Sequence, residues 1–338
     1  MRIAVIGAGS WGTALAKLLG EKHPEVVLWV RSREVAAELA VSRQNPRYLP
    51  DAILPANLAI TADSAAAVGQ AELIIIATPS HAVRATAKSL AAHIGAGTVV
   101  VSAAKGLELG SLKRMSTVIA EEIPAATVVA LSGPNHAEEV SAGQPTATVA
   151  ASLDRQAAEL VQDALMAAHF RVYTNPDIIG VELGGALKNI IALGAGVAEG
   201  LGFGDNAKAA LMTRGLAEIT RLGTALGARP LTFAGLAGIG DLIVTCTSRH
   251  SRNRRAGLML ATGKTRSEVE TASSMVVEGI RATAAAYELA GLHQVDMPIT
   301  AEIHGVLYDG ANPREAVSRL MARGRTHEVE EVAESETW

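Results

Sequence analysis

The sequence has a single cysteine, Cys246, in 338 residues. An internal disulfide and a thiolate metal cluster are thereby excluded, and a reducing compartment fits. Aromatic residues are scarce, 3% against 49% hydrophobic, so a core must be built from Ala, Val, Leu and Ile. Basic charge is not in excess either: 30 Lys and Arg stand against 34 Asp and Glu, giving a net charge of -4. Without a global positive field, nucleic acid and anionic membranes are not expected partners, and any anion site must be local. The nine histidines form no HxxxH or HExxH pair, which leaves a metal site without support. No run of 18 or more apolar residues offers a membrane span. The first strand is expected to begin at Arg2, leaving no room for a signal or transit peptide, and the expected location is cytoplasmic.

What is present begins at the N-terminus. Ile3-Ala4-Val5-Ile6 is a β-type apolar run, three glycines follow, and an Ala/Leu-rich helical stretch continues from them. Strand, GxGxxG and helix in that order form a dinucleotide-binding turn. Gly7 allows the sharp strand-to-helix turn, Gly9 lets the backbone approach a pyrophosphate, and Gly12 lets the helix lie close to the strand. The helix N-terminus then offers unpaired N–H groups to the phosphates. About 20 residues on, an NAD-binding unit usually carries an acidic residue for the ribose 2′-hydroxyl. Here the strand ends in Leu28-Trp29-Val30-Arg31-Ser32-Arg33. Arg31 and Arg33 suit a 2′-phosphate, with no carboxylate in front of them, so NADPH is favoured over NADH. Two solvated arginines at a strand end are the plainer alternative.

Short apolar runs alternate with helical stretches up to about residue 175: Val26–Val30, Leu58–Thr61, Leu73–Thr78, Thr98–Ser102, Thr127–Leu131, Thr146–Ala150 and Phe170–Tyr173. That pattern predicts a doubly wound, largely parallel α/β sheet. The unalternating Leu73-Ile74-Ile75-Ile76 predicts a central strand covered on both faces. After Pro176-Asp177 the chain turns to Ala/Leu/Gly-rich helical spacing, which predicts a second, all-α domain. The expected division is a Rossmann-type domain over 1–178, a helical substrate and catalytic domain over 179–327, and an acidic, disordered tail over 328–338. Residues 200–206, 235–241 and 247–253 are read as loops between helices, where binding residues concentrate.

Four further segments combine unusual residue types for their setting. Lys105 follows a strand in Ser102-Ala103-Ala104-Lys105-Gly106-Leu107, at the sheet edge where such folds bind ligands. Ser132-Gly133-Pro134-Asn135-His136-Ala137 repeats that placement one strand later. Lys188 lies inside the apolar, glycine-bearing stretch from Glu182 to Ile191, and Gly240-Asp241-Leu242 precedes a basic stretch with Arg249, Arg252 and Asn253. GAGSWGTALA, SAAKGLE, LSGPNHAEEV, ELGGALKNIIALGAG, GLAGIGDLIVTCTS with SRN, and VVEG occur in this order over nearly the whole chain. Taken together, they resemble the bacterial NAD(P)-dependent sn-glycerol-3-phosphate dehydrogenases.

The resemblance implies a Rossmann domain, a helical domain of the 6-phosphogluconate-dehydrogenase-like kind, and an active site in the cleft between them. It implies interconversion of dihydroxyacetone phosphate and glycerol 3-phosphate with NADPH or NADH, phospholipid precursor supply, and a homodimer. Besides Gly7, Gly9, Gly12 and Arg33 of the turn and strand end, it places cofactor contacts on Ser10, Trp11, Arg31, Lys105, Ala137, Arg252, Val276 and Glu278. Substrate contacts fall on Lys105, Gly133, Asn135, Asp241, Ser251, Arg252 and Asn253, with Asn189 and Thr245 nearby. Lys188 takes the position of the proton donor and acceptor.

The residue chemistry agrees. A lysine on a dry helix face can protonate a carbonyl oxygen that gains charge, because burial lowers its pKa; a snorkelling surface lysine is the plain alternative. Asp241 suits an ammonium, a substrate hydroxyl or a helix N-cap. Arg252 offers a planar fork to a phosphate, against a merely solvated basic loop. Cys246 reads as a small buried residue, and His81 and His136 as loop histidines on the cofactor side. Two rival functions stay open: a β-hydroxyacid dehydrogenase, which would want a carboxylate site, and a non-catalytic nucleotide sensor, which would not need Lys188 and Asp241 together.

Overall fold

The computed structural model describes residues 1–273 and 275–325. Its strands are β1 (Ile3–Ile6), β2 (Val26–Trp29), β3 (Gln44–Asn45), β4 (Leu49–Ile53), β5 (Ala59–Thr61), β6 (Leu73–Ile76), β7 (Val99–Ser102), β8 (Thr127–Ser132), β9 (Thr146–Ala151) and β10 (Phe170–Asn175). Eight of them form one sheet in the order β10-β9-β8-β7-β6-β1-β2-β5. All neighbours are parallel except β8 and β9. Strand order therefore reverses at β1, between β2 and β6, and the crevice at its carboxyl end is where such a sheet binds ligands.

The strands explain their own position. Ile3, Val5, Leu73, Ile75, Val99 and Val101 pack into one apolar core, while Ala4, Ile6, Ile74, Ile76 and Val100 pack into another on the opposite face. Side chains alternate across a strand, so a continuous apolar run feeds both layers and must be covered twice. The expected central strand β6 is flanked by β1 and β7, with every residue buried.

The remainder of the described chain is helical. The helix Ile178–Gly200 runs through its middle, and Asp205–Ala225, Asp241–Thr247, Arg252–Ala261 and Glu278–His293 pack against it. Its crossing with Arg252–Ala261 is a backbone contact. A Cβ on Gly196 would lie 2.0 Å from the Arg254 carbonyl, and one on Gly257 would lie 2.1 Å from that of Leu193. This close approach sets Arg252 and Asn253 beside the middle of the long helix. By length and mean hydropathy, Ile178–Gly200 and Pro230–Thr247 would both suit a membrane span. The first owes its apolarity to burial inside the helical layer, 89% of its most apolar window being covered, and it carries Glu182, Lys188 and Asn189.

Several sequence expectations are corrected. Residues 235–241 are not a loop: Leu236–Gly240 is a wide helical turn that runs directly into Asp241–Thr247. The Gly240 N–H reaches the Gly235 carbonyl at 3.2 Å, five residues back. Glycine serves close packing there, since a Cβ on Gly238 would meet the Phe233 carbonyl at 2.0 Å. The other two loops shrink to 201–204 and 248–251, because Asp205 starts a helix and the Ser251 hydroxyl caps the next one through the Arg254 N–H at 3.2 Å. The small β3–β4 hairpin was not foreseen, being short and interrupted by Pro50. Glu328 and the rest of the acidic tail lie outside the described residues.

Candidate active site

The glycine turn has the form its sequence requires. Gly7 has φ +111°, a conformation open to glycine, and a Cβ on Gly12 would lie 1.9 Å from the Gly7 carbonyl, so helix and turn touch. Nothing lies within 4 Å of a Cβ placed on Gly9. That open backbone is where a pyrophosphate would approach. Two buried polar atoms beside the turn, Trp11 Nε1 and Thr78 Oγ1, have no hydrogen-bond partner among the described residues. Buried donors without partners are costly, so the crevice fits a polar ligand such as a dinucleotide. The hairpin braces the turn: Ser10 donates to the Tyr48 carbonyl at 2.7 Å, and Asn45 Nδ2 donates to the Ala8 carbonyl at 2.9 Å.

At the end of β2, Arg31 and Arg33 are both exposed, with Ser32 capping the helix that Arg33 starts. The carboxylate of Glu34 follows them. Glu34 accepts from Ser32 Oγ at 2.5 Å, and that hydrogen bond holds its carboxyl below the usual range.

The chemistry concentrates where the sheet edge meets the long helix. Lys105 Nζ donates to the Gly133 carbonyl at 2.8 Å, to Asn135 Oδ1 at 2.8 Å and to Asp241 Oδ2 at 2.9 Å. Lys188 Nζ pairs with the other Asp241 oxygen and donates to Thr245 Oγ1 at 2.6 Å. Asp241 is 1% exposed, and it bridges two ammonium groups rather than capping its helix. Asn135 is fixed in turn through Nδ2 to Thr148 Oγ1 at 3.0 Å.

A second chain of contacts leads away from Lys188. Asn253 Nδ2 donates to Asn189 Oδ1 at 2.8 Å, and the Gly279 N–H donates to Asn253 Oδ1 at 2.9 Å. Next to Gly279, Glu278 accepts from Ser80 N at 3.0 Å and Ser80 Oγ at 2.6 Å. Val276, half-buried, lies just before this contact, and Ala137, buried, opens the short helix after Asn135. Arg252 has no hydrogen bond or ion pair among the described residues, although burial pushes its pKa down and Glu138 and Glu278 oppose the shift. A half-buried guanidinium without a protein partner suits an anion.

Burial dominates the electrostatics of the lysine. It pushes the Lys188 ammonium down to about 7, against the pull of Asp241, with Lys105 adding to the fall. Burial alone would raise the Asp241 carboxyl, but the two lysines outweigh it and hold it below the usual range. Lys188 can thus exchange a proton near neutrality while the site keeps a positive balance, two ammonium groups to one carboxylate. Cys246 is fully buried and its thiol is pushed up to about 12, which removes it as a nucleophile. His81 is exposed. His136 is half-buried, lowered first by burial and then by Lys188 and Lys105, with its ring 6.0 Å from that of His250.

The expected site residues follow strands at the carboxyl edge of the sheet, lie on the helical layer's helices or, for Ser251 and Val276, stand in the connections just before two of those helices. Ser80 and Thr148 were missed. Ser80 was legible in principle: Thr78-Pro79-Ser80 leaves the strand next to β1, at the reversal of strand order. Thr148 was not, because it lies inside β9 and acts through Asn135.

Comparison with known proteins agrees with this geometry. The family model described as NAD-dependent glycerol-3-phosphate dehydrogenase N-terminus matches residues 2–158, and its C-terminus counterpart matches 177–318. The glycerol-3-phosphate dehydrogenase (NAD(P)+) of Moorella thermoacetica is 60% identical over 328 residues, covering 97% of this chain and 98% of the relative. That of Desulfitobacterium hafniense (strain Y51) is 58% identical over 332 residues, covering 98% and 94%. The crystal structure of glycerol-3-phosphate dehydrogenase from Coxiella burnetii superposes with a TM-score of 0.91 at 39% identity, covering 95% of this chain and 99% of that one. With both halves matched in order around one lysine–carboxylate centre, this chain belongs to the NAD-dependent glycerol-3-phosphate dehydrogenase family.

Proposed function

We propose that the protein interconverts dihydroxyacetone phosphate and sn-glycerol 3-phosphate, with Lys188 as proton donor and acceptor and NADPH preferred over NADH. The observation that carries this is the buried Lys188–Asp241–Lys105 cluster facing the dinucleotide crevice. In this reading residues 1–178 hold the cofactor and 179–327 supply the catalytic helix and the substrate clamp. The bound nicotinamide supplies or takes the hydride. Lys188 gives its proton to the carbonyl oxygen as negative charge develops there, and in the reverse direction it takes the proton of the secondary hydroxyl. Asp241 orients the ammonium. Lys105 and Asn135 hold the substrate oxygens, while Arg252 and Asn253 hold the phosphate. A cytoplasmic homodimer supplying phospholipid synthesis belongs to the same reading, which rests on family membership.

The direct test follows NADPH absorbance with dihydroxyacetone phosphate. Consumption is expected, and no NADPH formation from NADP+ with β-hydroxy acids in the reverse assay. Activity on hydroxy acids alone would overturn the assignment.

A pH profile tests the lysine. Reduction needs protonated Lys188, so kcat/KM should fall as pH rises through about 7, whereas oxidation needs the neutral amine and should rise through the same region. The substrate phosphate titrates nearby, but it would move both directions alike. Profiles with the same sign in both directions would rule Lys188 out as the titrating group.

Cofactor choice is tested at Arg31, which is exposed at the end of β2. Arg31→Ala should weaken NADPH by about 1 to 2 kcal/mol, roughly five- to thirtyfold, and leave NADH nearly unchanged. Fluorescence titration of both cofactors reads this. Equal weakening would show that Arg31 touches something other than the 2′-phosphate.

A further inference from the structure

The loop after β6 meets the helical layer through one residue that the catalytic scheme does not use. Ser80 is 2% exposed and stands at the carboxyl end of the strand beside β1, at the reversal of strand order. Both of its donors, the backbone N–H at 3.0 Å and the hydroxyl at 2.6 Å, go to the two oxygens of Glu278, 198 residues further on. The fit is close from a third side. A Cβ on Gly106, the residue after Lys105, would lie 2.6 Å from Ser80 Cβ and 3.1 Å from Glu278 Oε2. The same carboxylate acts electrostatically on Arg252. Glu278 therefore sits where the dinucleotide crevice, the Lys105 loop and the substrate guanidinium converge.

We propose that Ser80 is a positioning residue that holds the Glu278 carboxylate across the cleft, fixing it for the cofactor and closing the helical layer onto the crevice. A carboxylate at the first position of a helix has several rotamers open to it. Two donors on its two oxygens select one, and the lack of a side chain at Gly106 leaves room for that one. The hydroxyl supplies half of the clamp and can be removed alone. In Ser80→Ala the backbone N–H still reaches Oε1, so the contact loosens without being abolished.

The inference rests on the dehydrogenase reading, and its test separates the two. NADPH affinity is measured by fluorescence titration, and kcat and KM by absorbance, for the parent, Ser80→Ala, Glu278→Ala and the double variant, with melting temperature as the folding control. Ser80→Ala should weaken NADPH about five- to tenfold, less than the full loss of a hydrogen bond to a charged group, because the backbone N–H still holds Glu278 Oε1. KM for dihydroxyacetone phosphate should change less than that. Ser80→Ala added to Glu278→Ala should change NADPH affinity by less than about twofold, because a residue acting through another has nothing left to act on. Ser80→Thr, which keeps the hydroxyl, should recover part of the loss. Additive effects in the double variant, or unchanged NADPH affinity in a folded Ser80→Ala, would overturn the proposal. Failure of the parent to bind NADPH or to turn over would instead refute the underlying reading.

Discussion

Replacing Lys188 by alanine is expected to lower kcat about a hundred- to ten-thousandfold, the range for removing a positioned general acid, while NADPH affinity changes less than about twofold. The two effects separate because Lys188 makes its hydrogen bonds to Asp241 and Thr245, away from the glycine turn. The fold should survive. Removing one partner of a buried ion pair is usually damaging because it strands the other charge, but Asp241 keeps Lys105 at 2.9 Å. Alanine is also the best helix former. Lys188→Arg sharpens the test: it keeps a positive charge near Asp241, yet a guanidinium stays protonated throughout the neutral range and cannot exchange a proton there. Both variants should therefore be slow. A fast Lys188→Arg would mean that charge, and not proton transfer, is what the site requires, and a fast Lys188→Ala would remove Lys188 from the mechanism.

The contrast between Lys188 and Ser80 shows what a sequence exposes. A lysine between Leu187 and Asn189 in an apolar stretch conflicts with its surroundings, and such a conflict is visible without coordinates because burying a charge needs a reason. The Rossmann half was legible on the same principle. Its unbroken apolar strands and its glycines at fixed spacing each have one good physical explanation, and all eight sheet strands fell where the apolar runs lie. Ser80 has no such conflict. A serine after a strand satisfies its own local rules, and its importance arises from a carboxylate 198 residues away. Residues 235–241 failed in the opposite sense: glycines that suggest a loop were there to let Gly238 pack against the Phe233 backbone. Glycine marks both turns and close approach, and only the partner decides which. The β3–β4 hairpin escaped because its strands are too short to carry a period, although it braces the phosphate turn through Asn45 and Tyr48.

Arg252→Ala should reduce kcat/KM for dihydroxyacetone phosphate by about 2 to 4 kcal/mol, roughly thirty- to a thousandfold, the scale for truncating one side of a desolvated charge pair. Arg252 stands half-buried at the cleft with no protein group to pair with it. Burial lowers its pKa, and no hydrogen bond or ion pair among the described residues compensates, although Glu138 and Glu278 help from a distance. Arg252 is half-buried and its nitrogens stay accessible, so removing the guanidinium should leave stability nearly unchanged while activity collapses. Asn253 cannot take over alone, because one of its amide N–H groups is committed to Asn189 and its oxygen to the Gly279 N–H, which leaves a single neutral donor for the phosphate. Binding energy from a remote phosphate can be used to set the carbonyl against the nicotinamide and Lys188, so kcat should fall together with affinity. The discriminating measurement compares dihydroxyacetone phosphate with unphosphorylated dihydroxyacetone. The parent should strongly prefer the ester, and Arg252→Ala should lose most of that preference, with the rate on the unphosphorylated ketone nearly unchanged. Arg252→Lys should recover only part, since an ammonium cannot reproduce a two-pronged fork. An alanine variant that kept the parent's full preference would move the phosphate site elsewhere. Lys105 would then be the next residue to test, because its ammonium already faces the same cleft between Asn135 and Asp241.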